Sequence, residues 1–226
     1  MRILLSCLLI LLYSLVSCQK QPIINDLQFS NYSGHPKKVT EVTTFSNQNT
    51  DKRIFYFDKD GFLTKTESYN LIHSENPGKR LISEMIIYDS KDKAKRYFET
   101  IKAENKKVIA NGYFERISDS LYKRVSNSET PPMSLGKLFH FDKNNRLVQT
   151  EETGNFNGSP INNAISYRYK NTVKSELLFE DIIQQRKSKL TYRNVKTDRQ
   201  ANPVYEELFD ESGTLQQKTE REFEYY

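Results

Sequence analysis

Three histidines offer the side chain that most often serves as a metal ligand or as a general base near neutral pH. They are His35, His73 and His140, and they stand far apart, with no HExxH motif and no pair at ligand spacing. In residues 138–141, strand alternation places His140 on the face opposite to both Phe side chains. The histidines therefore predict no metal site and no catalytic base.

Acidic doublets are a second candidate for chemistry, because a glycosidase needs two carboxyl groups facing each other across a cleft. Adjacent strand residues point to opposite faces, so a doublet does not make such a pair by itself. The chain also has no nucleophile elbow, Walker loop or dinucleotide fingerprint. We predict a protein that is not an enzyme, with no catalytic residue and no cofactor. The doublets are Glu151 with Glu152, Glu180 with Asp181, and Glu206 with Glu207.

Residues 56–67 carry acidic residues and a glycine near the spacing of an EF-hand calcium loop. The first position of such a loop requires a carboxylate, and Tyr56 stands there. A hairpin turn explains Asp58, Asp60 and Gly61 equally well. We therefore predict a turn here and no metal ion.

A turn motif recurs three times: an aromatic residue, Asp, two polar residues, Gly or Asn, any residue, and Leu. The Asp side chain favours the first position of a type I turn, since it accepts a hydrogen bond from a backbone N–H two residues on. Gly or Asn suits the later position, where a positive φ is needed before the return strand. The predicted turn residues are Asp58 and Gly61, Asp142 and Asn145, and Asp210 and Gly213.

This motif resembles the YD-repeat unit of bacterial RHS-type and teneurin-like proteins, and Tyr88 and Asp89 with Ala94 resemble a degraded further copy. The resemblance covers only short segments, at uneven spacing, whereas a repeat array keeps a short, even period. It implies local strand-turn-strand units, and it does not imply the large enclosing shell of that family.

The N-terminus has one basic residue, Arg2, before an apolar run over residues 3–16, which is typical of a secretory signal and too short to span a bilayer. Residues 15–18, Leu-Val-Ser-Cys, resemble the lipobox of bacterial lipoproteins. The resemblance implies that Cys18 carries lipid such as palmitate and anchors the protein in a membrane. We predict a signal peptide over residues 1–17, a lipidated Cys and tether over 18–35, and one domain over 36–226.

Gln19, rather than Asp, follows Cys18, which by resemblance to lipoproteins of Gram-negative bacteria implies the outer membrane. We expect the domain to face the periplasm, with exposure at the cell surface as the alternative. Lys and Arg number 34 and Asp and Glu 29, and the two signs are mixed along the chain. Because nucleic-acid binding clusters positive charge on one face, we predict no nucleic-acid partner.

The composition favours sheet, with 13 Phe and 14 Tyr but no Trp. We predict an all-β fold, an antiparallel meander of hairpins that forms a twisted open sheet, a half-barrel or a sandwich. Residues 91–104 fit either a helix or a strand, and we favour the strand. A loop that is also the best candidate boundary is predicted over residues 126–136, and a polar loop over residues 154–163.

The absence of a catalytic pattern beside rows of Phe and Tyr leads to three functional hypotheses. The first is a non-catalytic binding or scaffolding module for an envelope protein or glycan. The second is a periplasmic carrier of lipids or lipoproteins, which requires an apolar concavity. An envelope glycan hydrolase is the third and weakest.

Overall fold

The computed structural model describes residues 24–70, 80–88 and 92–226, and these residues form a short helix and fourteen strands. Apolar and polar residues alternate along most strands, which is the pattern of a sheet with two different faces. The helix α1 spans Asp26–Ser30, and the strands are β1 Pro36–Phe45, β2 Thr50–Phe57, β3 Leu63–Asn70, β4 Arg80–Ile87, β5 Lys95–Lys102, β6 Val108–Ser118, β7 Leu121–Glu129, β8 Pro132–Phe141, β9 Leu147–Phe156, β10 Ser159–Lys170, β11 Val173–Asp181, β12 Arg186–Thr197, β13 Pro203–Phe209 and β14 Leu215–Tyr225.

Every strand pairs antiparallel with its neighbours in the chain, and β1 also pairs with β14. The sheet therefore closes into a barrel. The predicted all-β antiparallel meander is confirmed. Its closure, which the sequence left open between an open sheet, a half-barrel and a sandwich, is complete.

Residues 24–33 close one end of this barrel, and we call them the plug. Ile24 and Leu27 are buried, and the backbone N–H of Ile24 donates to the Tyr122 hydroxyl at 3.0 Å. Asn202, fully buried, accepts from the Ser33 N–H at 2.7 Å and donates to the Ser33 carbonyl at 2.9 Å. Residues 24–33 fall within the segment 18–35 that was predicted as a lipidated Cys and tether, and here they pack against the barrel.

The plug packs on an aromatic cluster inside the barrel. The Phe29 ring makes edge-to-face contacts with the rings of Tyr122, Phe139 and Phe141, with centroids 4.9–5.4 Å apart. Edge-to-face pairs at such distances add about 0.5–1.5 kcal/mol each beyond their buried area. The short helix is thus held by tertiary packing, because a single helical turn is not stable alone.

A largely buried ion triad joins the strands beside the barrel's closing seam. The Arg221 guanidinium on β14 lies 2.7 Å from Glu41 on β1 and 2.7 Å from Glu206 on β13. Burial acts to lower the pKa of Arg221, but Tyr32, Glu206 and Glu41 hold that pKa above its ordinary value. Each of the three side chains has a charged partner, as buried ions require.

Two segments differ from the predicted loops. Residues 126–129 and 132–136 belong to strands β7 and β8, which are joined at 130–131. Residues 154–156 and 159–163 belong to β9 and β10, which are joined at 157–158. Residues 95–102 of the ambiguous segment are strand β5, which was the favoured assignment.

Within the described residues, no helix is long and apolar enough to cross a membrane.

Candidate functional site

The three predicted turns share one geometry. Asp58 Oδ1 accepts from the N–H groups of Asp60 and Phe62 at 3.0 and 2.9 Å. The Asp142 and Asp210 carboxylates accept backbone N–H groups in the same way. The positive φ residues of the turns are Gly61 at +83°, Asn145 at +57° and Gly213 at +83°.

These turns do not come together in one cleft. The turn at Gly61 lies at the plugged end, where the Leu27 N–H donates to the Gly61 carbonyl at 3.3 Å. The turn of Asp142 lies at that end too, whereas the turn of Asp210 lies at the other end of the barrel, which we call the mouth. Cys18, His73 and Asp89 lie outside the described residues.

The remaining histidines and the acidic doublets do not form a reactive cluster. His140 Nε2 lies 3.1 Å from Glu151 Oε1 on the outer face of the barrel, and His35 is exposed. Glu152, next to Glu151, lines the interior instead. Among the described residues, no group of three or more His, Cys, Asp or Glu side chains is placed to hold a metal ion.

A cavity of about 400 Å³ lies inside the barrel, above the plug. Asp26, Phe29 and Ser30 form its floor, and residues from β2 to β7 form its wall. Its volume is in the range of small-molecule sites. The apolar lining residues are Phe29, Phe55, Phe57, Leu63, Met85 and Phe114.

The floor of the cavity is electrically neutral. Asp26 makes a two-pronged ion pair with Arg96, with N–O distances of 2.6 and 2.8 Å. Its Oδ2 also accepts the Leu63 N–H at 2.5 Å. The Asp26 carboxylate thus holds the plug against β3 and β5.

The upper wall of the cavity carries positive charge. Arg53 and Arg124 line the main cavity, and Arg124 with Lys137 and Glu152 line an adjoining space of about 230 Å³. Arg53 pairs with Asp51 at 2.8 Å, and its side chain is 53% exposed although it faces the interior. Water therefore reaches this level of the lumen from the mouth.

Arg124 is the most enclosed of these cations. Its guanidinium lies 5.0 Å from the Phe98 ring centroid and 5.6 Å from that of Phe114, and its Nε donates to Ser126 at 3.2 Å. Burial lowers the pKa of Arg124, with Glu152 acting in the opposite direction. An arginine remains charged in proteins even so. Within the described part of the chain, its two Nη groups have no hydrogen-bond partner.

Thr66 is a second polar group without a partner in this cavity. Its side chain lines the wall between Phe55 and Met85, its register neighbours, and the residue is only 7% exposed. Its Oγ1 makes no hydrogen bond to any described residue. A buried hydroxyl without a partner costs about 1–3 kcal/mol, so Thr66 Oγ1 is available for a hydrogen bond within the cavity.

Of these lumen residues, Glu152 was singled out in the sequence, as part of an acidic doublet, and the others were missed. The signal was strand alternation, as in Asp51, Arg53, Phe55 and Phe57, which lie at every second position of β2. This alternation shows that the four side chains share one face of the sheet, but it does not show whether that face is the interior. The closure of the barrel determines which face is the interior.

No protein-family model and no curated protein matches the chain. Among solved structures it is similar to a porin-like protein from Bacteroides vulgatus, with a TM-score of 0.41 and 9% identity, over 84% of this chain and 98% of that chain. A porin-like protein from Bacteroides uniformis gives 0.41 and 9%, over 90% and 100%. A putative outer membrane lipoprotein-sorting protein domain from Vibrio parahaemolyticus gives 0.38 and 9%, over 87% and 88%. Likenesses this weak carry no functional argument.

Proposed function

We propose that the protein is a non-catalytic binding protein of the cell envelope, anchored by lipid on Cys18, which holds a small, partly apolar molecule in the barrel lumen. The observation that carries this proposal is the cavity of about 400 Å³, which has Phe29 and the neutralised Asp26 in its floor, an aromatic-rich wall, and charged groups nearer the mouth. Ligand pockets combine an apolar lining with a few polar groups in this way. A closed barrel of β-strands is a rigid frame for such a pocket.

The position of the plug supports an anchored orientation. Six positions separate Cys18 from Ile24, a reach of at most about 20 Å. A lipid on Cys18 therefore holds the plugged end near the bilayer, with the mouth directed away from it. We place the anchor in the outer membrane and the barrel in the periplasm, on the signal sequence and Gln19.

The outer face of the barrel supports the proposal that water, and not lipid, surrounds the barrel. A lipid-facing wall carries an apolar band about 25 Å tall. This wall instead carries ion pairs on many strands: Lys38–Glu224, Lys65–Glu67, Lys65–Glu84, Lys95–Glu115, Lys187–Glu180, Lys189–Glu176 and Lys218–Glu220. Charges on a lipid-facing strand cost about 2–4 kcal/mol each at mid-bilayer.

Lumen binding is tested on residues 19–226, which contain every described residue and carry no acyl chain, so that no detergent is needed. Native mass spectrometry and a fluorescent fatty-acid probe report occupancy. We expect one probe molecule per barrel, displaced by unlabelled lipid. A matched variant, Met85→Trp, fills the cavity and should abolish the signal. Binding that survives in Met85→Trp would contradict a lumen site.

The anchor is tested separately, by mass spectrometry of the mature protein from membranes. We expect an N-terminal Cys18 that carries acyl chains. An unmodified Cys18, or a mature chain that starts elsewhere, would overturn this part of the proposal and leave lumen binding unaffected.

A carrier that passes its ligand to a second membrane is the second candidate. Exposed apolar side chains at the mouth, at the far end from the anchor, favour it. They are Phe45, Val108, Phe156, Ile182, Ile183 and Leu215. Transfer of the probe between two vesicle populations would be faster with the protein than without it, and unchanged rates would leave only binding.

A further inference from the structure

The walls of the two adjoining cavities, taken with Arg96, carry one more positive than negative charge. Arg53, Arg124 and Lys137 supply three cations, and the carboxylates that face them are Asp51 and Glu152. Asp26, at the floor, is balanced by Arg96. A single anion therefore neutralises the site.

The arrangement of the cations is unfavourable without such an anion. Arg124 on β7 lies directly opposite Lys137 on β8 in the strand register, and Lys137 lies opposite Glu152 on β9. Like charges directly across two strands destabilise a sheet. Arg53, from the far wall, adds a further positive field that lowers the pKa of Arg124. Neither cation of the β7–β8 pair makes an ion pair of 4.0 Å or less within the described residues.

The packing around Arg124 fixes its orientation. The Phe98 and Phe114 rings and the Ser126 hydroxyl hold the guanidinium, which leaves the two Nη groups free to donate. Paired guanidinium N–H groups match the geometry of carboxylate and phosphate. Arg124 lines both cavities, so it stands where they join.

We propose that the lumen selects an amphiphile with one anionic head group, which Arg124 binds with Lys137 beside it, while the apolar chain lies on Phe55, Phe57, Met85 and Phe114. The Thr66 hydroxyl lies among these apolar residues and makes one hydrogen bond with a polar group on the ligand's acyl chain. The shared chemistry is a carboxylate or a phosphate on an acyl chain. This inference rests on the proposed function of lumen binding.

Head-group preference is measured first on the unaltered barrel, residues 19–226, by competition against a neutral fluorescent acyl probe. The competitors share one acyl chain: oleate, oleoyl lysophosphatidate and oleyl alcohol. We expect one or both anions to bind about 10- to 100-fold more tightly than the alcohol, the range of a charge-assisted hydrogen bond. Whichever anion binds more tightly identifies the head group. Equal affinities for all three would overturn anion selection and leave lumen binding intact.

Absence of binding by all three competitors and the probe would overturn both this inference and the proposed function, so the two failures are distinguishable. Arg124→Gln should remove the preference for the anion and leave the affinity for oleyl alcohol unchanged. Lys137→Gln, a second variant, should reduce the preference less. The matched control is Arg168→Gln on the outer face, where the side chain is 67% exposed. An anion preference that persists in Arg124→Gln, with unchanged circular dichroism, would refute the assignment to Arg124.

Discussion

Ala201 adopts a backbone conformation that alanine rarely takes, with φ of +65°. Asp198 Oδ1 accepts from the N–H groups of Gln200 and Asn202, both at 2.9 Å, so this is a fourth copy of the turn geometry. This turn also contains Asn202, which holds the plug through Ser33. The strained backbone of Ala201 therefore lies in a turn that positions a plug contact.

Replacing Ala201 by Gly should stabilise the protein. The left-handed conformation costs an alanine about 1–2 kcal/mol, and the added freedom of the unfolded chain takes back about 0.4–1 kcal/mol. We expect a net gain of about 0.5–1 kcal/mol in the free energy of unfolding, measured in urea. The control is Ala164→Gly, in the middle of β10, which should lose about 0.5–1 kcal/mol. Losses of similar size in both variants would contradict strain at Ala201.

Individual residues also show which features could be predicted from the sequence and which could not. The turns with Asp followed by Gly or Asn are visible because those residue types tolerate positive φ, whereas Ala201 carries no such signal. Arg124 and Lys137 belong to different hairpin strands, and their meeting depends on register. Chain-local patterns do not give register between strands of mixed polarity.

At the level of elements, the plug was missed for a physical reason. Helix α1 has five residues, too few to show a helical period, and its stability comes from Phe29 packing and the Asp26 ion pair with Arg96. Residues 154–163 were expected to be a loop because Asn and Gly dominate them. Most of the segment is strand, with the two-residue turn 157–158, because neighbouring strands supply its hydrogen-bond partners.

Two glycines with the same φ of +83° separate backbone strain from plug packing. A Cβ on Gly213 meets no atom within 4 Å, whereas one on Gly61 would lie 2.5 Å from Asn25 Nδ2 and 2.7 Å from Leu27 Cδ1. We expect Gly213→Ala to cost about 1 kcal/mol of unfolding free energy from strain. Gly61→Ala should cost a further 1–3 kcal/mol or so from overpacking.

The measurement is urea unfolding of both variants, with Gly158→Ala as a second strain-only control, since it too has φ of +83° and open space. Equal losses at Gly61 and Gly213 would show that the plug does not rest on the Gly61 turn in solution.

For the whole molecule, closure of the sheet concentrates buried charge at one seam. Arg221→Met removes the partner of Glu41 and Glu206, whose side chains are 20% and 12% exposed. Leaving carboxylates buried without a partner costs about 3–5 kcal/mol. The matched control on the same strand is Lys218→Met, which breaks an exposed pair with Glu220 and should cost about 1 kcal/mol or less. Similar losses would mean that the seam is not held by the triad.

Stability should also fall in acid through the ion pairs of the outer wall. The hydrogen bond from Lys65 lowers the pKa of Glu84 below its ordinary value of 4.5. Burial acts to raise the pKa of Glu67, but hydrogen bonds from Lys65, Tyr69 and Tyr56 outweigh it and lower the pKa. Carboxylates with lowered pKa values contribute stability above their unfolded pKa, and lose it as pH falls through the folded pKa.

We therefore expect the free energy of unfolding to decline below about pH 4.5. Lys65→Met should have a shallower decline, so that the two curves approach each other at low pH. Urea unfolding between pH 3 and pH 7 measures this, with Lys59→Met, an exposed site, as the control. Parallel curves for Lys65→Met and the unaltered protein would contradict the assignment.

Overall architecture was predictable only to the level of an antiparallel meander. Hairpin signals give local pairing, and thirteen of the fourteen strand pairings among the described residues are between chain neighbours. Closure depends on β1 meeting β14, a contact between the two ends of the chain that no local pattern specifies.

That single long-range pairing sets the order in which a nascent chain is completed. Among the barrel strands, β1 leaves the ribosome first, and its second partner, β14, is the last to be made. The edge of β1 thus stays unpaired through nearly the whole of translation, and unpaired edges invite association with other chains. A chain that ends before residue 215 lacks β14, so the edge of β1 stays unpaired. We expect two such chains to associate through their unpaired edges.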